Sequence, residues 1–396
     1  MKPLAGLLVV DFSRVLAAPF STMILAELGA RVIKIEHPKG GDETRGWEPR
    51  LSESESAYFF AFNRAKESVT LDLKQAEARN LARALALQAD VLVENFPPGT
   101  MAGFGLDYPA LAAENPRLIY LANTGFGQSG PYSDRKGYDT VFQAMGGMMG
   151  LTGEAGGGPV KAGLPTADLT SGLWDAIAVL AALAGRNLSG HGCLIDLSMF
   201  DAQASLLTIA AARWFALGEV PGRSGTEHPG RVPSAAFRCA DDKWLHITGS
   251  DQHWQPLCAA LGLDALAADA ALAKNAERVR QRERVMAGLR EACARRKRAE
   301  VLAALEAREV PCGPVNAVDE TLSDPHIRAR GVVGRFDHPT VGRFPALALP
   351  IKFAGYRDPE IGRPPLLGEH TEPVLTEFFG FDASDFARLR KAGAIK

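Results

Sequence analysis

Cysteine is scarce in this chain and is not arranged for any purpose that needs pairs. Five cysteines (Cys193, Cys239, Cys258, Cys293, Cys312) lie scattered through 396 residues, an odd number without metal-ligand spacing, which points to reduced thiols and against a zinc site. Charge of one sign is lacking too. With 44 Lys and Arg against 46 Asp and Glu, the formal net charge is −2, and without a basic block nucleic acid is not the expected partner. No apolar run approaches the ~18 to 20 residues that would span a bilayer, so no membrane partner is expected. The start of the chain has a short apolar run but no small-residue cleavage pattern before Asp11, and reads as a first strand in a cytoplasmic protein. The eight histidines are isolated, and neither a G-x-S-x-G elbow nor a Walker loop occurs, which disfavours metal hydrolases, serine hydrolases and P-loop enzymes.

What is present is an alternation of apolar strands and helices. Leu7–Asp11, Gly29–Glu36, Ser68–Leu73, Val91–Glu94, Leu118–Ala122 and Leu194–Leu197 read as strands; Ala18–Leu28, Gln75–Gln88 and a long apolar Phe200–Leu217 read as helices. Such alternation predicts an α/β fold with a parallel, doubly wound sheet, whose ligands bind beyond the carboxyl ends of the strands. The turn after the first strand, Ser13–Pro19, lacks the G-x-G-x-x-G fingerprint, so a Rossmann-like core without the usual dinucleotide site is expected. The loops 95–99 and 124–131, marked by glycine and proline, each follow a strand and are candidate ligand surfaces. A glycine-, proline- and charge-rich stretch over 218–233 reads as a linker into a smaller α+β domain over 234–329. That domain has a strand pair, Ala236–Cys239 and Trp244–Thr248, and helices over Gln252–Leu261, Val279–Ala294 and Lys297–Arg308. The charge cluster Arg278–Arg284 reads as a solvated helix face. Residues 330–349 read as a second linker, and 350–396 as a return to the first domain (1–217), ending in a helix over Glu372–Gly380.

Gly163–Asp175 is the stretch on which a reaction would centre. Asp168 stands where a loop gives way to the apolar helical run Leu173–Leu183. Free N–H groups and the positive end of the helix dipole would stabilise its charge, and a developing oxyanion nearby, as a nucleophile requires. Asp168 or Thr166 is also a good helix cap, and the residues alone do not separate the two roles. Asp139 is a second candidate acid. Read without a family, the chain is an α/β enzyme acting on a small molecule.

The order of motifs resembles the class III CoA-transferases, the family of formyl-CoA:oxalate and carnitine CoA-transferases. The resemblance spans nearly the whole chain and is carried by Val9–Phe12 with Pro19, Gly29–Glu36, Gly41–Trp47, Phe62–Lys66, Leu71–Lys74, Val93–Phe96, Lys136–Asp139, Gln143–Gly146, Ala167–Asp168, Pro311–Pro314 and Pro365–Thr371. It implies that Asp168 is the catalytic nucleophile, attacking an acyl-CoA thioester to form a mixed anhydride and then an aspartyl-CoA thioester. The implied CoA-binding residues are Arg14, Val15, Leu16 and Ala17; Leu71, Asp72, Leu73 and Lys74; Asn95 and Phe96; and Lys136, Tyr138 and Asp139. Coenzyme A or acyl-CoA enters as substrate, with no metal and no tightly bound cofactor, and small carboxylic acids are the other partners. A large Rossmann-like domain built from both chain ends and an interlocked homodimer are implied as well.

Two departures bear on substrate. Leu16 stands where formyl-CoA:oxalate enzymes carry glutamine, and their run of adjacent glycines is absent between Gly222 and Gly230, so oxalate is not the expected acceptor. His37 and Gly103 replace two arginines of that subgroup. α-Methylacyl-CoA racemase shares the fold, but its catalytic histidine is matched here by Tyr138, a poor base near neutral pH. A non-catalytic acyl-CoA-binding protein, which would not need Asp168, is the other alternative.

Overall fold

A computed structural model describes residues 1–396. Six strands, β1 (Leu8–Asp11), β2 (Arg31–Glu36), β3 (Glu67–Thr70), β4 (Val91–Glu94), β5 (Ile119–Thr124) and β6 (Leu194–Ser198), form one sheet in the order β3-β2-β1-β4-β5-β6. Every neighbouring pair is parallel. The strands are apolar on both faces because helices cover both. Val10, Ile33 and Leu92 pack on one side with Leu85 and with Val374, Leu375, Phe386 and Leu389 near the chain's end, while Val9, Val32 and Val91 pack on the other with Leu25 and Val179. Residues from both ends of the chain thus pack in this core.

Two compact units divide the chain. The larger comprises Met1–Met148, Lys161–Ala212 and His326–Lys396, and the smaller Met149–Val160 with Arg213–Pro325. In the smaller, β7 (Ser234–Arg238), β8 (Trp244–Thr248) and β9 (Cys312–Pro314) make an antiparallel sheet. Trp254, Leu257, Leu289, Val301 and Leu305 pack in its core.

Several expectations change. Residues 149–160 belong with the smaller unit, although the sequence put them in the first domain. The 330–349 stretch is no linker: β10 (Val333–His338) and β11 (Gly342–Leu347) pair as a hairpin whose Phe336 and Phe344 stack on Phe60 at 5.6 and 5.3 Å. Phe200–Leu217 is two helices, Met199–Ser205 and Thr208–Leu217, the first closing with i to i−3 bonds from Leu206 and Leu207. The short β9, an edge strand holding Gly and Pro, carries no alternation to reveal it. The last helix is Ala383–Ala392, following Thr371–Phe379.

The helix Thr166–Ser189, 24 residues long, has the length and composition of a membrane span, contrary to the reading of the linear sequence. Its inner face buries Asp175 and Arg186 in the larger unit.

Arg278 is also not on a solvated face. It is 0% exposed, donates to the carbonyls of Val232 and Leu272 at 2.7 Å each and to Asp251 at 2.9 Å, and lies 5.0 Å from the Trp254 ring centroid. The guanidinium is a polar rivet joining three chain segments, through two backbone carbonyls and one carboxylate. Arg278→Ala is expected to destabilise the smaller unit by about 3 kcal/mol, whereas Arg280→Ala, whose side chain is 77% exposed in a surface ion pair, should change stability by less than about 1 kcal/mol. Urea melts of the two variants check the contrast.

Candidate active site

The turn after β1 rests on a layer of buried ions. Asp11 accepts from Lys66 Nζ at 3.1 Å and Thr22 Oγ1 at 2.7 Å, and Lys34 Nζ lies 3.0 Å from Asp42 and donates to the Ser13 carbonyl at 2.6 Å. All four charged side chains are completely buried or nearly so. Burial by itself would raise the Asp11 carboxyl, but Lys66 and Lys34 hold it below the usual range. Beside them Glu36 takes a two-pronged hydrogen bond from Arg45 at 2.8 and 2.9 Å. Against the cost of burial, that guanidinium brings its carboxyl down to about 2.

This layer holds Val15 at φ +71°, a left-handed conformation that a β-branched residue resists. The Val15 N–H points to the Asp42 carboxylate at 3.3 Å. Across the switch point between β1 and β4, Asn95 accepts from the Arg14 N–H at 2.8 Å and donates to the Arg14 carbonyl at 2.7 Å. The two loops that part at the reversal of strand order are therefore tied together at the place where doubly wound sheets bind ligands.

Beyond the carboxyl ends of β1, β4, β5 and β6 lies a cleft of about 410 Å³. Arg14, Val15, Leu16, Ala17, Asn95, Phe96, Lys136, Tyr138, Asp139 and Asp168 line it. Leu71, Asp72, Leu73 and Lys74 instead line a smaller apolar hollow of about 150 Å³ beyond β1–β3. Arg14 and Phe96 border both hollows, with the guanidinium 4.7 Å from the ring centroid. The thirteen residues expected at a CoA surface, and Asp168, thus occupy two adjoining hollows. His37 lines the smaller one, 3.7 Å from Asp72.

Asp168 sits in the first turn of the helix Thr166–Ser189 and faces the larger cleft. Neither it nor Thr166 is the cap. Asp139, itself in the first turn of the helix Asp139–Met145, reaches across so that its Oδ1 accepts from the Ala167 N–H at 2.8 Å and lies 3.4 Å from the Asp168 N–H. Gln143 donates to the other oxygen at 2.6 Å. The helix end expected to stabilise Asp168 is occupied by another carboxylate, and the electrostatic consequence is reversed. Burial, and then the Asp139 charge, push the Asp168 carboxyl up to about 7. A carboxylate made this basic is a stronger nucleophile than one stabilised by the dipole.

Gly172 sets the helix position. A Cβ there would fall 2.5 Å from the Ala17 carbonyl oxygen, so only glycine lets the Asp168 helix lie this close to the start of the helix Ala17–Glu27. That helix has no side-chain cap and no acid in its first turn, and its Ala17 lines the cleft.

Sequence reasoning missed Lys34, Asp42, Asn123, Arg135 and Met199 among the lining residues, while Thr124, in the loop read as a ligand surface, does line the cleft. A signal existed for Lys34, a lysine between Ile33 and Ile35 in a strand expected to be buried on both faces. Arg135, which stacks on Tyr132 at 4.5 Å, is one residue from the matched Lys136. Nothing in the sequence marks Met199. No histidine lines the larger cleft, and Tyr138, where the racemase has its histidine, is 79% exposed.

With this geometry in hand, comparison with known proteins is specific. The chain is 36% identical to the mouse succinyl-CoA:glutarate CoA-transferase over its full length and 91% of that protein. It is 38% identical to the acetyl-CoA:oxalate CoA-transferase of Acetobacter aceti over 95% of this chain and 96% of that protein. The crystal structure of a CAIB/BAIF family protein from Brucella suis superposes with a TM-score of 0.86 at 41% identity, covering 95% of this chain and 99% of that one. Residues 4–371 match the CoA-transferase family III profile, and the chain belongs to that family of class III CoA-transferases.

Proposed function

We propose that this enzyme moves CoA from an acyl-CoA donor, with succinyl-CoA as the first choice, to a small carboxylic acid through an aspartyl-CoA thioester on Asp168. The observation that carries the reading is a carboxylate of raised basicity, with no cation paired to it, in the same cleft as the loops after β1 and β4. An Asp168 oxygen attacks the thioester carbonyl carbon, the C–S bond breaks, and CoA leaves as thiolate, giving the mixed anhydride. The thiolate then attacks the Asp168 carbonyl and releases the donor acid. An acceptor carboxylate repeats both steps in reverse and restores Asp168. The anhydrides are high-energy intermediates, but every stable state on the way is a thioester, so the activation is conserved overall as long as water is kept out.

CoA would lie across both hollows, with Arg14, Lys136 and Lys74 offering charge to its phosphates and Phe96 and Leu71 offering apolar contact. For the acceptor we favour a short dicarboxylate longer than oxalate. The mouse relative is named for glutarate, and the buried Leu16 side chain presents hydrocarbon to the cleft. The reaction belongs in the cytoplasm, a reading supported by five cysteines that are all unpaired. We further propose an interlocked homodimer without a membrane role. Leu173, Trp174 and Ile177 on the larger unit and Trp214, Phe215, Leu217 and Val220 on the smaller are exposed, more apolar surface than a lone chain would leave to water.

Asp168→Asn is expected to lower turnover by at least about a thousandfold and to abolish the CoA adduct seen by intact-mass analysis of wild type incubated with succinyl-CoA. Normal turnover in that variant sinks the assignment. For wild type, kcat/KM should rise with pH through about 7 as Asp168 loses its proton. The folded carboxyl is raised, so its burial costs nothing at pH values below the unfolded range and an increasing amount as pH rises toward about 7. Asp168→Asn should therefore melt higher than wild type at pH 8 and equally at pH 4.

Lys136→Ala should weaken CoA binding by roughly 10- to 100-fold, the worth of one charge-assisted phosphate contact. Isothermal titration with CoA measures it, and an unchanged Kd removes Lys136 from the phosphate site.

Interlocked chains bury far more than the ~1,600 Å² of a standard interface, so no folded monomer is expected on dilution. Sedimentation at nanomolar concentration tests this: an active species with the mass of one chain rules the interlocked dimer out.

A further inference from the structure

Two turns beyond Asp168, on the same face of its helix, Asp175 is completely buried. Its Oδ2 accepts a hydrogen bond from Asn123 Nδ2 at 2.6 Å. Asn123 is the next-to-last residue of β5 and forms part of the wall of the Asp168 cleft. The other two oxygens of the pair, Asp175 Oδ1 and Asn123 Oδ1, are both buried and both without a partner. Two bare acceptors in one buried pair are rare, because each has given up water for nothing. A single proton removes both deficits. With that proton on Asp175 Oδ1 and the amide N–H on Oδ2, the pair would carry the donors and acceptors of the two-bond ring of a carboxylic acid with a primary amide, Asn123 Oδ1 accepting.

We propose that Asp175 and Asn123 form a neutral, proton-closed clamp that fastens the Asp168 helix to the end of β5 and so positions Asp168 in the cleft. The proposal rests on the reading of Asp168 as the nucleophile. Burial pushes the Asp175 carboxyl up to about 8, against only a partial opposing effect of the Asn123 hydrogen bond, in keeping with a proton held at neutral pH. The clamp adds a third point of attachment to two already described. Asp139 holds the first turn of the helix, and Gly172 seats the helix against Ala17. Arg186 ties the far end of the helix to Asp90 and to the Arg117 carbonyl; Asp175 is the buried polar group nearer the cleft, where its bond to Asn123 would govern how the helix is rotated and with it the direction of a side chain seven residues earlier. A neutral ring performs this task without setting a second negative charge near Asp168, whose own carboxylate already bears that of Asp139. Asp175 is a positioning residue and touches no reacting atom.

The test uses the full chain. Asp175→Ala is expected to lower kcat and the single-turnover rate of Asp168 acylation by succinyl-CoA about 10- to 100-fold, the cost of an attacking group misplaced by an ångström, while Kd for CoA stays unchanged. Asp175→Asn, whose amide can turn one N–H toward Asn123 Oδ1 and its oxygen toward the Asn123 N–H as the acid does, is expected to retain most of the turnover. Infrared difference spectra of wild type against Asp175→Asn should contain a protonated-carboxyl band at neutral pH that belongs to Asp175. Wild-type kcat in a folded Asp175→Ala variant, or an Asp175→Asn variant as impaired as Asp175→Ala, overturns the positioning role. Absence of the infrared band overturns the proton. If wild type turns over no donor at all, the transfer reading fails by itself, and the infrared band still decides the clamp.

Discussion

The pairing of Lys34 with Asp42 and of Lys66 with Asp11, at 3.0 and 3.1 Å and fully out of water, is the constraint on which the cleft depends. Four charges buried at the carboxyl edge of a parallel sheet are not a cheap source of stability, since desolvation offsets much of their attraction. What they supply is geometry. Lys34 also holds the Ser13 carbonyl, Lys66 the Pro19 carbonyl, and Asp42 the Val15 N–H. The loop after β1 is thereby kept in a path its own residues would not choose, and Leu16 and Ala17 are presented to the cleft.

Around this fixed edge, the chemistry follows from where charge is left unneutralised. Buried acids near β1 and β2 have cations, and Asp11 and Glu36 stay ionised. Asp168 has an acid for a neighbour instead, and its carboxyl is pushed up. The same residue type is thus held ionised in one place and made basic in another, and the difference is made by what faces it. Asp139 has two effects, ordering the helix start through its hydrogen bonds and raising the basicity of Asp168 through its charge. With its helix-start N–H groups taken by Asp139, Asp168 is left with burial and a like charge, the environment that raises a carboxyl toward neutral pH.

The sheet and its edge were legible because burial on two faces leaves a pattern. Val91–Glu94 was read to the residue, and the other strands to within a few positions, since uninterrupted apolar runs between turn residues have few other homes. The loops that border the cleft were legible as loops after strands, and the matched motifs named residues that do line the two hollows. The hairpin β10–β11 and the edge strand β9 were not, because their partners lie far away in sequence and their own composition is that of loops. Arg278 was misjudged for the same reason: four arginines in seven residues look solvated, and only the packed chain brings Val232, Leu272 and Asp251 around one of them.

Local pattern by itself therefore determined that this chain is a doubly wound α/β protein with its loops of interest after the strands, and the family resemblance, not the pattern, singled out Asp168. Tertiary structure decided the electrostatic character of that residue. A helix start read alone predicts a stabilised carboxylate. Asp139, twenty-nine residues earlier, takes the N–H groups of that helix start, and which side chain reaches a given N–H is settled by packing across space, a quantity that no local window of sequence contains.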